Sequence, residues 1–343
     1  MHHRPLVEVL EFTAMRILVT GGTGFVGAWT SRAVQDAGHR VRFLVRDPAR
    51  LAVSAGALGV DTSDHVVGDM TDAESVRRAL DGCDAVVHCA AVVALDAAAV
   101  EGMARANREG ARNVLGQAVE RGLDPVVHVS SVAAVFRPDL DLLTGDLPLA
   151  GGLDAYGRSK AEVEAYAREL QDAGAPVQIT YPGMVIGPPA GQMVGEGTDG
   201  VRAAVRMRVI PGRRAAWTVC DVRDLGRVHA ALLTPGRGPG RWAAGGVRLG
   251  VPEIAAALQA ASGRRIVTLP VPDRGLRGVG HALDRVGIHT KISGSAREYY
   301  TRMPESDNGP VERELGVGFR DPVITLADTV AGLRRLGLLY RRR

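Results

Sequence analysis

The segment from Met15 to Ala37 constrains the fold of this chain most strongly. Met15-Arg-Ile-Leu-Val-Thr20 is a short apolar run rich in β-branched residues and reads as a buried strand. Thr20-Gly-Gly-Thr-Gly-Phe-Val-Gly27 follows at once, and Ala28 to Ala37 has the composition of a helix. Strand, glycine turn and helix in this order form the entry to a doubly wound sheet. Gly21 permits a tight turn, Gly24 lets backbone N–H groups approach a pyrophosphate, and Gly27 lets the helix pack close to the strand. The residues expected to hold a dinucleotide here are Gly21, Thr23, Gly24, Phe25, Val26 and Gly27.

The alternation of strands and helical stretches continues to about residue 181, which predicts an α/β fold with a parallel sheet. Arg40 to Val45 reads as the second strand. An NAD-preferring site carries an acid about 20 positions beyond the glycine loop. Arg46 stands there instead, with Asp47 after it. A guanidinium suits a ribose 2′-phosphate, so NADP is expected. NAD stays open through Asp47. His65 to Met70 reads as a third strand, ending in Asp69 and Met70 beside the expected adenine position. Asp84 to Ala91 reads as a fourth, with the small Ala90 and Ala91 where a cofactor would lie against backbone.

Tyr156-Gly-Arg-Ser-Lys160 places a phenol and an ammonium on one helix face, in a chain with only two lysines, Lys160 and Lys291. The charge on Lys160 is expected to favour the Tyr156 phenolate and lower a pKa that starts near ~10. A phenol so placed can exchange a proton with a substrate oxygen.

Taken together, these motifs resemble the extended short-chain dehydrogenase/reductase family. The matching pieces are TGGTGFVG (20–27), GDMTD (68–72), HCAA (88–91), NREGARNVL (107–115), HVSSVAAV (128–135), YGRSK (156–160), YPGMVIGP (181–188) and DVRDLGRVH (221–229), in order over about residues 15 to 340. VRDP (45–48) is most similar to the dihydroflavonol reductase and 3β-hydroxysteroid dehydrogenase-like branch. The resemblance implies Tyr156 as general acid/base, and Lys160 as its partner and a holder of the nicotinamide ribose. It also implies a serine at the end of the fifth strand. Ser130 and Ser131 are both candidates, and the family pattern favours Ser131. Pro182, Gly183 and Val185 fall where the family's chain passes the nicotinamide. Val92, Val132 and Met184 are expected near an apolar substrate pocket, as are their neighbours up to Leu95 and Phe136.

Sugar-nucleotide members of the family often carry an arginine before a Val-Asp-Asp-type motif. Aligned through Val222-Arg-Asp224, this chain has Trp217 there, with Arg213 and Arg214 as other candidates. An indole cannot replace a bidentate phosphate contact but offers a flat apolar surface. The expected function is NADP(H)-dependent hydride transfer with a small, largely apolar carbonyl or alcohol. Two alternatives stay open: a nucleotide-sugar epimerase or dehydratase with tightly held NAD, and a non-catalytic dinucleotide-sensing regulator.

Composition narrows the remaining classes. The net charge of +4 comes from arginine scattered along the chain, so no nucleic-acid face is expected. Cys83, Cys89 and Cys220 lack metal-ligand spacing and read as reduced thiols of a cytoplasmic enzyme; no metal site is expected. No apolar run approaches the ~18 residues that span a bilayer. The expected organisation is an extension over 1–14, disordered on this reading, then a dinucleotide-binding domain over 15–182. Residues 183–343 would form mainly a substrate lobe, with segments returning to the first domain. Gly187 to Gly191 and Gly195 to Gly200 read as a mobile loop, either a lid or a surface insertion. A homodimer is open.

Overall fold

The structure is a computed structural model that describes residues 14–93, 97–212, 215–272, 274, 275, 278 and 294–339. The N-terminal extension, Leu95, Arg213, Arg214 and Lys291 lie outside the described residues.

The chain runs from β1 (Arg16–Thr20) through the glycine turn into α1 (Phe25–Asp36) and β2 (Arg40–Val45). Then come α2 (Pro48–Ala52), β3 (His65–Val67), α3 (Ala73–Leu80) and β4 (Ala85–His88). α4 (Ala97–Ala111) continues through a π turn and the short α5 (Gln117–Glu120) to β5 (Val126–Val129). α6 (Val132–Val135), β6 (Leu142–Leu143) and α7 (Ala155–Asp172) precede β7 (Val177–Pro182). The second half contains β8 (Met184–Ile186), α8 (Glu196–Met207), β9 (Val209–Pro211), β10 (Ala216–Asp221), α9 (Val222–Ala231) and β11 (Gly240–Ala244). It continues with β12 (Val247–Gly250), α10 (Val251–Ser262) and β13 (Val267–Leu269). α11 (Gly294–Arg302), β14 (Glu305–Ser306), α12 (Gly309–Leu315) and α13 (Pro322–Arg335) complete it.

Seven strands form one parallel sheet in the order β11-β7-β5-β4-β1-β2-β3. Its central strands are buried on both faces, which explains why β4 and β5 carry valines at successive positions, facing both ways. Alternate residues feed two cores. Ile17, Val19, Val87 and Val127 pack on the side of α1 and α9. Leu18, Val86, Val126 and Ile179 pack on the other side, with residues of α3 and α7. A third core lies in a smaller lobe, where the sheet β12-β10-β8 packs against α8, α10 and α13. The chain crosses between the lobes more than once. It leaves the large sheet at Gly183, between β7 and β8, and returns in α9 and β11 before β12 rejoins the small sheet.

Several elements are shorter than their apolar runs suggest. β3 stops at Val67 because Asp69 and Asp72 turn the chain into α3: Asp69 accepts from Thr71 N at 2.9 Å, and Asp72 caps the helix. β4 stops at His88, and Ala90 N then donates to Thr20 Oγ1 at 3.2 Å instead of to the ladder. The expected mobile loop is corrected in part. Residues from Glu196 onward are the first turns of α8. The preceding loop is tied down by Ala190 N to Met193 O at 3.0 Å and by Trp29 Nε1 to Pro188 O at 3.0 Å.

Behind α7 lies a buried ionic cluster. Glu164 accepts from Tyr181 Oη at 2.6 Å, from Ser130 Oγ at 2.5 Å and from Arg168 Nε at 2.9 Å, and its side chain is 0% exposed. Removing the cation would strand that carboxylate. Arg168→Ala is therefore expected to cost about 3–5 kcal/mol, measured by urea unfolding at neutral pH; a loss below ~1 kcal/mol would show that the cluster does not hold α7 in place.

Candidate active site

The candidate site lies at the carboxyl ends of the parallel strands, where doubly wound sheets bind ligands. Its first wall is the glycine turn. Gly21 has φ +76°, and a Cβ on it would sit 2.8 Å from Ala90 N. A Cβ on Gly27 would sit 2.2 Å from Gly21 O, so only glycine lets α1 approach β1 this closely. Gly24 caps α1 without any side-chain acceptor, which leaves the first N–H groups of the helix for an anion. Thr23 is half-buried at the turn. Phe25 and Val26 turn their side chains into the core, so their contribution to a ligand is confined to backbone.

The second wall is at the ends of β2 and β3. Arg46 is exposed at 72%, and its Nη1 lies 3.8 Å from Asp69 Oδ2. Asp47 instead accepts from Ala49 N at 2.9 Å and caps α2. The guanidinium thus projects into the site's margin while the neighbouring acid is engaged. Met70 is half-buried against α4, and its carbonyl accepts from Asn113 Nδ2 at 3.0 Å. At the end of β4, Ala90 is half-buried and Ala91 exposed. Asn107 of α4 clasps Val92 from both sides, accepting from its N at 2.7 Å and donating to its O at 3.0 Å. It also donates to Ser159 Oγ at 3.0 Å. That bond ties the end of β4 to α7, one residue before Lys160.

The third wall is α7 itself. Asp154 caps it by accepting from Gly157 N at 2.7 Å, which sets Tyr156 in the first turn. Lys160 is buried one turn later and donates from Nζ to Val129 O at 3.1 Å, at the end of β5. Burial draws the ammonium pKa down to about 8. Tyr156 shifts opposite to the sequence expectation. Burial pushes its phenol up to about 12, and the neighbouring Ser131 hydroxyl offsets that only in part. The desolvation of a phenolate here exceeds what its neighbours return, so Tyr156 holds its proton through neutral pH.

The two serines separate cleanly. Ser130 Oγ is committed to Glu164, whereas Ser131 caps α6, accepting from Ala133 N at 3.2 Å, and acts on Tyr156. Pro182 and Gly183 lie at the exit of β7. Met184 and Val185 are half-buried on β8, in register with Val219 and Cys220 of β10. Two expected substrate contacts sit in packed surroundings. Val132 is 5% exposed and packs in the core behind α6. Trp217 is 7% exposed and packs with Ile254 and Leu258 in the smaller lobe, so its indole is spent on that core.

Sequence reading missed two features. Tyr299 of α11 packs its ring on Phe136 at 4.7 Å between centroids, and a Cβ on Gly157 would lie 2.9 Å from its hydroxyl. The smaller lobe thus reaches the residue beside Tyr156. Nothing in the Glu298-Tyr-Tyr-Thr301 stretch signals such a contact. The second feature is a buried imidazole pair. His88 and His128 stack at 5.8 Å, and His88 Nδ1 is 2.8 Å from Thr20 Oγ1. Burial, with the Lys160 charge, takes His88 down to about 3 and His128 well below its ordinary value. Both rings are neutral, so Lys160 carries the positive charge at this end of β4 and β5. The alternation in Ala85-Val-Val-His88 and Val126-Val-His-Val129 was the available signal, since it puts both histidines on one sheet face.

Comparison with known proteins agrees with this geometry. The profile of the NAD dependent epimerase/dehydratase family matches residues 17–245. The chain is 30% identical to cinnamoyl-CoA reductase 1 of rice, Oryza sativa subsp. japonica, over 242 residues, covering 66% of this chain and 70% of that protein. It is 27% identical over 341 residues to sterol demethylase protein B of Methylococcus capsulatus, covering 95% and 100%. Among solved structures, UDP-glucose 4-epimerase from Bifidobacterium longum, in complex with NAD+ and UDP, superposes with a TM-score of 0.73 at 18% identity. That match covers 95% of this chain and 100% of that one, a likeness of fold. The glycine turn, the Tyr156–Lys160 helix and the family match converge: this chain belongs to the NAD dependent epimerase/dehydratase family and is an NAD(P)-dependent enzyme of the extended short-chain dehydrogenase/reductase type.

Proposed function

We propose that the chain is an NADP(H)-dependent reductase of a small, largely apolar carbonyl compound, working in reverse as an alcohol dehydrogenase. The observation that carries this reading is the placement of Tyr156 in the first turn of α7, beside the Ser131 hydroxyl and one turn before the buried Lys160; burial also pushes its phenol up to about 12. A phenol that keeps its proton is equipped to donate it.

The residues fit the cofactor. The bare start of α1 suits a pyrophosphate, and the exposed Arg46, with Asp47 engaged elsewhere, suits a 2′-phosphate. Lys160 would hold the nicotinamide ribose, with Pro182, Gly183 and Val185 beside the ring. When bound, the dinucleotide supplies the hydride. Ser131 and Tyr156 would both donate hydrogen bonds to the substrate carbonyl oxygen as negative charge grows on it, and Tyr156 would then release its proton to that oxygen. The Lys160 ammonium would stabilise the phenolate left behind, which is the moment at which its charge matters. The half-buried Val92, Met184 and Val185 give the substrate side an apolar character. The names of the relatives, a cinnamoyl-CoA reductase and a sterol demethylase protein, include a cinnamoyl group and a sterol, each an apolar body, which supports an apolar reacting portion. On this reading residues 183–339 form mainly a substrate lobe, with α9 and β11 returned to the dinucleotide-binding domain.

Three measurements follow. Tyr156→Phe should lower kcat by about 10²–10⁴-fold while leaving the NADPH Kd within a few-fold; undiminished turnover would remove Tyr156 from the chemistry. Arg46→Ala should weaken NADPH at least ~10-fold and spare NADH. Equal losses for the two cofactors, or NAD that co-purifies without exchanging, would favour the epimerase or dehydratase reading. In the reductive direction kcat/KM should be flat at neutral pH and fall as pH rises through about 8, because Lys160 is charged below that point and neutral above it. A fall beginning only near the ordinary lysine range would contradict the assigned environment of Lys160.

A further inference from the structure

On the outer side of α1 and α9, away from the sheet, a groove of about 500 Å³ runs between the two helices. Its floor is made of small residues, Ala33 and Ala231 among them, and Trp29 borders it. Four arginines line it: Arg32, Arg223, Arg227 and Arg320. Asp36 is the one carboxylate in the wall.

The four guanidinium groups differ in how far their partners satisfy them. Arg32 is held by Asp36, with Nε 2.9 Å from Oδ2. Arg223 forks onto Asp221, with Nη2 2.7 Å from Oδ2, and its Nη1 reaches Asp328 at 2.7 Å. Arg227 and Arg320 share a single carboxylate, Asp224, whose side chain is 0% exposed behind the wall. Arg227 uses only Nη2, which donates to Asp224 Oδ1 at 2.7 Å and to Gly318 O at 2.7 Å. Arg320 uses Nη1 on the same Asp224 oxygen, and its backbone N donates to the other oxygen at 2.7 Å. One negative charge thus fixes two positive ones, and each fork keeps donors in reserve. A buried carboxylate that positions two arginines lowers the ordering cost of binding a further anion.

We infer that this groove binds a small anion, a phosphate or carboxylate, carried on a flat apolar body. The Arg227–Arg320 pair would take the anionic head through the bidentate geometry that guanidinium offers to planar or tetrahedral oxyanions. The alanine floor and Trp29 would take the body, and the volume is within the range of sites for small organic ligands. The groove lies on the solvent side of α1, whereas the dinucleotide turn lies at the start of that helix, so both sites can be filled together.

The test is calorimetric titration of the full chain with phenyl phosphate and with inorganic phosphate, each with and without saturating NADPH and NADH. Saturable, one-to-one binding of phenyl phosphate that persists with either dinucleotide bound is expected, with inorganic phosphate several-fold weaker. Arg227→Gln, which leaves Arg320 on Asp224, should weaken phenyl phosphate at least ~10-fold, about 1.4 kcal/mol. Ala231→Glu puts a carboxylate on the floor, one turn from Arg227, without removing either partner of an ion pair and should do the same. Unchanged affinity in both variants, loss of binding when dinucleotide is added, or no saturable heat at millimolar ligand would overturn the proposal. Equal affinity for the two phosphates would overturn the assignment of the floor to an apolar body.

Discussion

One close approach of backbone to backbone governs the site. α1 lies so near β1 that a single carbon on Gly27 would fall 2.2 Å from Gly21 O. That contact fixes where the helix begins and aims its uncapped N–H groups at the space above β1 and β4. The same turn brings Gly21 against Ala90, two residues past the end of β4, at the floor of the site. On the proposed reading the cofactor's position follows from a steric constraint on two glycines, with α7, Arg46 and the β7–β8 crossing arranged around it.

The chemistry depends on burial more than on pairing. Lys160 and Tyr156 share a helix face, yet in the ligand-free site their pKa values are set mainly by loss of water, which lowers the ammonium and raises the phenol. Asp154 and Glu196 add negative charge near Tyr156, which opposes a phenolate further. His88 and His128 carry no charge, and Ser130 is consumed by Glu164. Such an arrangement separates duties. On the proposed mechanism Tyr156 keeps the proton to be transferred, and the Lys160 ammonium would answer the phenolate once one forms. The phenol's reactivity then belongs to the ternary complex rather than to the free enzyme.

Much of this was legible in the chain. The apolar runs at Arg16, Arg40 and Ala85 became strands of the large sheet, whose cover on both faces suits apolar residues at successive positions, and β2 kept the bounds its run suggested. The glycine turn announced α1 because each glycine has a separate steric task. What the sequence hid is tertiary. Trp217 and Val132 are apolar residues near motif positions, and only packing shows that they face cores rather than a pocket. The family pattern prefers Ser131 to Ser130, but only packing shows that Glu164, far along the chain, claims Ser130. Glu196 to Gly200, glycine-rich and loop-like in composition, is helical because its first turn carries acids and packs on β8. The direction of the Tyr156 shift depends on desolvation, which no spacing rule encodes.

The central claim is that the free enzyme holds Tyr156 as a neutral phenol. Ultraviolet difference titration of the cofactor-free protein against its Tyr156→Phe variant isolates that one ring among six tyrosines. No phenolate absorbance assignable to Tyr156 should develop below about pH 10, the ordinary tyrosine value, because burial holds the group near about 12. A step between roughly pH 6 and 8, well below that ordinary value, would show the phenolate forming without cofactor and would contradict the account.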